Sequence, residues 1–287
     1  MKLFRKSNQK NEPVLYPLGH YYSPIPSREE IIKRSKKIFG IKEKKIDGVD
    51  LNETEQLVLL EQLKKYYDAI PFNDQASDDL RYYYKNEFYS YSDGIFLYGI
   101  IRHFKPKKII EIGSGFSSAI MLDTNERFFQ NQISCSFIDP YPERLLSILN
   151  KGDEEKHTII NDCVQDVDLD TFEQLEANDI LFIDSSHVAK TGNDVNHIFF
   201  EILPKLNKGT IIHFHDVFFP FEYPKKWVLE GRGWNEDYLL RAFLQYNSKF
   251  KIILFATFLE HFYQKWFEEN MPLCLKNRGG SIWLKKL

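Results

Sequence analysis

The chain has 287 residues, 43% of them hydrophobic and 15% aromatic, which excludes a disordered polymer and allows one large domain or a domain with an appended segment. Its 38 Lys and Arg against 41 Asp and Glu leave a net charge of -3, so no global field draws it to a nucleic-acid backbone. Cys135, Cys163 and Cys274 lack the paired spacing of a disulfide framework or zinc ribbon. No apolar run approaches the roughly 20 residues of a membrane span, and "MKLFRK" leads into polar "SNQKNEP" rather than an apolar signal core. The expectation is a cytoplasmic chain with neither nucleic acid nor membrane as partner; its oligomeric state is not written in these features.

Residues 1–87 read as an N-terminal arm with helices and a candidate lid, ahead of a main domain over 88–287. Within the arm, "YPLGHYYSPIPSREE" is rich in proline and tyrosine without helical period, and Ser27 with Glu30 predicts a capping box opening a short basic helix that Gly40 ends. From Asn52 the spacing of Leu57 and Leu60 predicts a second helix running to Pro71. Ser92 and Asp93 are expected to cap a third, whose apolar face includes Ile95, Phe96, Tyr98, Ile100 and Ile101.

From Lys107 the pattern changes to short apolar runs separated by helical stretches, the mark of repeated βαβ units. Strands are expected at 107–113, 133–139, 157–161, 179–184 and 210–216, with helices near 115–129, 142–150, 170–177 and 191–206. Two further strands follow at 250–257 and 281–287, which gives an α/β fold: a three-layer Rossmann-like sandwich on a seven-stranded, mostly parallel sheet.

In "IIEIGSGFSS", Gly113, Ser114 and Gly115 stand between a strand and a helix, where free N–H groups face a ligand. Glu111 precedes the first glycine, and Asp139 ends the next strand, where its carboxylate would accept ribose hydroxyls. Ser118 takes the place of the third glycine of a G-x-G-x-x-G fingerprint, so a nicotinamide-dependent oxidoreductase is disfavoured.

Together, "IIEIGSGFSS", "FIDP", "DILFIDSSH" and "KGTIIHFHD" resemble the class I S-adenosylmethionine-dependent methyltransferases, in the branch of the macrolide and aminocoumarin sugar O-methyltransferases, over about residues 88–256. The resemblance implies an antiparallel last strand. It also implies that Glu111, Gly113, Ser114 and Gly115 line the methionine end of the cofactor, that Asp139 holds the ribose, and that Asp162 approaches the adenine. The expected acceptor is a small or carbohydrate-like hydroxyl compound.

Ligands of an open parallel sheet bind beyond the carboxyl ends of its strands. There Asp184 and His187, after the fourth strand, should meet His215 and Asp216, after the fifth. Alternation along "IIHFHD" turns Ile211, His213 and His215 to one face and Ile212, Phe214 and Asp216 to the other. His213 is therefore read as a core histidine satisfied by a hydrogen bond, and His187 or His215, with Asp216, as the catalytic groups. The resembled sugar O-methyltransferases hold a divalent ion between an Asp of the fourth-strand motif and an acidic pair after the fifth. That carries Asp184 and Asp216 over as ligands, beside the cofactor, with His215 in place of the first acid and Ser186 where an acidic base is expected. An Asp184, His215 and Asp216 set would hold magnesium or manganese, imidazole favouring manganese, iron or zinc over magnesium. A scaffold that binds the cofactor without turnover is the competing reading.

Overall fold

The computed structural model describes residues 15–41 and 43–287; the first six residues, read above for a signal core, lie outside them. Among the described residues, seven apolar runs become the strands β1 (Lys108–Ile112), β2 (Ser134–Ile138), β3 (Thr158–Ile160), β4 (Ile180–Ile183), β5 (Ile211–His215), β6 (Phe250–Phe255) and β7 (Ser281–Lys286). Their order in the sheet is β3-β2-β1-β4-β5-β7-β6. The first five run parallel, and β7 lies antiparallel between β5 and β6, the reversed last strand that the resemblance implied.

Chain order reverses between β1 and β4, which opens a crevice above their carboxyl ends. Register lines Glu111, Phe182, His213 and Trp283 across the sheet in one row, and Ile112, Ile183, Phe214 and Ile282 in the next. The two rows face opposite layers. Tyr89, just ahead of helix Tyr91–Phe104, packs on Phe182 at 5.9 Å between ring centroids. Phe199, in the helical run from Asp194 to Lys205, packs on Phe214 at 5.3 Å on the other side. Every β4 and β5 residue is buried, so these two strand ends are fixed from both faces.

The described residues fall into two compact units: residues up to Gly40 with Pro224–Gly233, and Ile41–Tyr223 with Trp234–Leu287. In the smaller unit the helix capped by Ser27 spans Arg28–Lys33, and a second turn, Ser35–Ile38, follows. Arg28 there donates to the Leu229 carbonyl at 2.8 Å, tying it to helix Lys225–Leu229.

Two expected elements are corrected in the larger unit. The helix over 142–150 is confined to Glu143–Leu146, and a separate turn, Asp153–Lys156, follows Gly152, whose φ of +90° ends helical continuity. Helix Tyr91–Phe104 is preceded by Ser90 rather than capped by Ser92 or Asp93. Both of those side chains are engaged elsewhere: Ser92 with Glu260, and Asp93 with the Gly280 N–H at 3.1 Å.

Candidate active site

The turn after β1 requires glycine at its first position. Gly113 has φ +80°, and a Cβ there would lie 1.9 Å from the Asp184 carbonyl oxygen. Its N–H donates to Ile138 at 2.9 Å while the Asp184 N–H donates to Ile112 at 2.8 Å, so the ends of β1, β2 and β4 are stitched together. Above them the Ser114 N–H and hydroxyl both donate to Asp139 Oδ2 at 2.8 Å, and the Tyr141 N–H donates to Oδ1 at 2.8 Å. Three donors thus fix one carboxylate on the wall of a cavity of about 600 Å³, lined also by Gly113, Asp184 and the run Cys163 to Gln165. That volume lies within the range of small-molecule and cofactor sites, about 300–1,000 Å³. A glycine cradle, a rim carboxylate and sufficient volume are what S-adenosylmethionine requires, and the residues fit it.

Three residues assigned to that cofactor by resemblance do not line the cavity. Glu111 is fully buried and accepts hydrogen bonds from Ser117, at 2.5 Å, and Ser118, at the start of helix Phe116–Phe129. Burial pushes its carboxyl up to about 8, against the opposing effect of the two hydroxyls. It braces the glycine turn from beneath. Gly115 is turned to Ser118, whose hydroxyl accepts its N–H at 2.9 Å. Asp162 is exposed, and its neighbour Cys163 takes the cavity wall.

Beyond β4 and β5 the four expected side chains form a chain of contacts. His187 Nε2 lies 3.3 Å from Asp184 Oδ1 and 3.7 Å from Asp216 Oδ2, and His215 Nε2 lies 3.5 Å from Asp216 Oδ1. His187 and Asp216 both occupy the left-handed region, with φ of +60° and +56°, uncommon outside glycine although His and Asp enter it more readily than most residues. Burial disfavours charge on His187, yet hydrogen bonds to Asp184 and Glu236 and the field of Asp216 outweigh it and hold the ring well above the ordinary histidine range. His215 shifts upward in the same sense: burial opposes, and Asp216, Asp184 and Asp93 prevail. Burial would also raise Asp184, but His215 and His187 bring it down to about 2.

The expected metal set is not assembled. Among the described residues, the one group of three or more His, Cys, Asp or Glu whose donor atoms all lie within 4.8 Å is Asp162, Cys163 and Asp166, not Asp184, His215 and Asp216. His187 Nε2 instead lies within 3.3 Å of Asp184 and 3.7 Å of Asp216, the two carboxylates that would have to share the ion. This donor set, as arranged, does not fit a divalent ion. Ser186 is likewise committed elsewhere, its hydroxyl and N–H donating to Asp194 at 2.6 and 2.7 Å.

His213 is buried as read, but the expected hydrogen bond is missing. Neither ring nitrogen has a partner among the described residues, and the ring stacks on Phe182 at 4.0 Å and tilts against Trp283 at 4.4 Å. Burial, with His215 adding, pushes it well below its ordinary value, so it stays neutral. The pairing of Glu236 with His187, Oε2 to Nδ1 at 2.8 Å, was not expected from the sequence. An acid at the first turn of a helix was visible in the sequence; a partner 49 residues away was not.

The profile of a methyltransferase-domain family matches residues 110–217, from β1 to just past Asp216. An uncharacterized protein of Archaeoglobus fulgidus is 39% identical over 182 residues, 61% of this chain and 81% of that protein. The chain belongs to the class I S-adenosylmethionine-dependent methyltransferases. Solved structures similar to this methyltransferase include the S-adenosylhomocysteine-bound methyltransferase PaMTH1 of Podospora anserina, 17% identical, covering 92% of this chain and 99% of that one, with a TM-score of 0.46. The O-methyltransferase TomG of Streptomyces achromogenes is 16% identical, over 90% of this chain and 95% of that one, with a TM-score of 0.44. CmcI with Mg and S-adenosylmethionine is 17% identical, over 78% and 84%, with a TM-score of 0.42. Overlaps this loose transfer neither a residue role nor a ligand to the methyltransferase. Among its described residues no helix is long and apolar enough to cross a membrane.

Proposed function

We propose that the chain transfers a methyl group to the oxygen of a small or carbohydrate-like hydroxyl acceptor, with His187, Asp184 and Asp216 at the reacting end of the cofactor cavity. One observation carries this reading: Asp184 lies on the cavity wall and is also paired with His187, so the cofactor cavity and the histidine cluster share a residue. Bound S-adenosylmethionine supplies an electrophilic methyl on a sulfonium. Gly113 and Ser114 would admit its methionine end, and Asp139 its ribose. Asp184 and Asp216 hold His187 Nε2 where the acceptor's proton has to be taken up, and burial of the ring excludes water from that transfer.

The competing reading, a scaffold that binds cofactor without turnover, draws on one observation: the carboxylates of Asp184, Glu236 and Asp216 around His187 favour its protonated form, which is no base. Calorimetry with S-adenosylmethionine, S-adenosylhomocysteine and NAD comes first; binding of NAD alone would overturn the family's cofactor here. A screen of sugars, glycoconjugates and phenols for S-adenosylhomocysteine release then separates the two readings. Release that falls at least a hundredfold in His187→Ala, with cofactor affinity kept, supports the catalytic one. Cofactor binding with no release from any acceptor favours the scaffold.

A further inference from the structure

The cluster holds a buried acid, beside His187 Nδ1, that neither the family profile nor the motifs assign. Glu236 is 1% exposed and opens helix Glu236–Leu244. Its two oxygens go to the same loop, Oε1 accepting the Ser185 hydroxyl at 3.0 Å and Oε2 lying 2.8 Å from His187 Nδ1. The backbone repeats the link: the His187 carbonyl accepts the N–H of Asn235 at 3.0 Å and of Glu236 at 3.2 Å. Asn235 adds a third tie, its Oδ1 accepting the Ala189 N–H at 2.6 Å, and the Trp234 ring lies 4.4 Å from that of His187. Residues 234–236 therefore grip the β4 loop by backbone, side chain and ring at once, around a residue in the left-handed conformation.

A histidine ring has two nitrogens, and the hydrogen bond made by one fixes which proton the other carries and where it points. We propose that Glu236 is the positioning residue of this site, holding Nδ1 so that Nε2 of His187 is directed between Asp184 and Asp216. The inference rests on the reading of His187 as the proton acceptor. The charged and titratable groups facing the ring are Asp184 from β4, Asp216 and His215 from the end of β5, and Glu236 and Asp237 from the helix. Only Glu236 reaches Nδ1. A merely structural glutamate would leave turnover at saturating acceptor unchanged when exchanged for its isostere.

The test is nuclear magnetic resonance of protein labelled with ¹⁵N in its histidines and saturated with S-adenosylhomocysteine, with His187→Gln identifying the His187 signals. In Glu236→Gln the Nδ1 proton is expected to move upfield and exchange faster with water. Turnover with the best acceptor of the screen should fall on the order of tenfold, with acceptor KM and S-adenosylhomocysteine affinity within twofold. Glu236→Asp, which keeps the charge but withdraws the oxygen, should fall between. An Nδ1 signal unmoved in Glu236→Gln overturns the proposal, whatever the turnover. Full turnover in His187→Ala instead overturns the reading of His187, and the Nδ1 signal still reports on Glu236 independently.

Discussion

Glu111→Gln tests whether the acid beneath the glycine turn is neutral in the folded protein. Above about 4.5 the glutamic acid of the unfolded chain loses its proton, whereas the buried one keeps its proton until about 8. A folded value raised above the unfolded one stabilises fully at low pH and loses that contribution as pH climbs between the two. At about 1.4 kcal/mol per unit, the loss amounts to about 5 kcal/mol in all and about 3–4 kcal/mol between pH 5 and pH 8. Glutamine cannot ionise, and its amide can donate to one of Ser117 and Ser118 while accepting from the other. Urea unfolding of both proteins at the two pH values gives a double difference in which every other titrating group cancels. The variant's stability relative to wild type should rise by those 3–4 kcal/mol from pH 5 to pH 8. A gap constant to within about 1 kcal/mol would refute the reasoning, because Glu111 would then be ionised in both states.

Gly113→Ala should weaken S-adenosylhomocysteine binding more than tenfold in calorimetry, since left-handed alanine costs about 1–2 kcal/mol and its Cβ must displace the Asp184 carbonyl; an unchanged affinity would sink the cradle. His213→Phe should leave stability unchanged or raise it by about 1 kcal/mol, as it removes two buried nitrogens that lack partners among the described residues. Its advantage in urea unfolding should be larger at pH 5.5 than at pH 8, because the unfolded ring takes up a proton below about 6.5 and the buried one does not; a loss above about 2 kcal/mol at both pH values would contradict this. Turnover should climb with pH beyond the ordinary histidine range, because the raised His187 becomes a base only above it. A rate that is flat from pH 6 to pH 9 would count against His187 as the base.

The seven strands were legible because buried parallel strands are short, continuous apolar runs, and β4 and β5 are buried at every residue. Helices were less legible where chain geometry intervenes: Gly152 divides one, and the hydrogen bonds of Ser92 and Asp93 to other elements remove them as caps of another. At the site, strand ends delivered Asp184 and Asp216 as sequence alone predicts. Which groups touch was beyond local pattern: the strand-end acid Glu111 turns inward to two serines, while Glu236 pairs with the histidine. Spacing along a chain carries the period of a strand or helix, and it carries nothing about a partner 49 residues away.

The departures at Ser186 and His215 from the resembled family acquire a common explanation in charge. In the sugar O-methyltransferases that the motifs resemble, a divalent cation balances the strand-end acids. Here Asp184 and Asp216 face His187 and His215, both shifted toward their charged forms, and a divalent cation would have to compete with those rings for the same two carboxylates. Ligation would also need His187 Nε2 to leave its place between the acids, which breaks the 2.8 Å contact of Nδ1 with Glu236. Protein stripped by a chelator is therefore expected to turn S-adenosylmethionine over to S-adenosylhomocysteine, with its acceptor present, within twofold of the untreated rate. A tenfold loss restored by added manganese would overturn this, and would mean that the ring swings out to admit the ion; the His187 Nδ1 resonance in the same samples would then move as well.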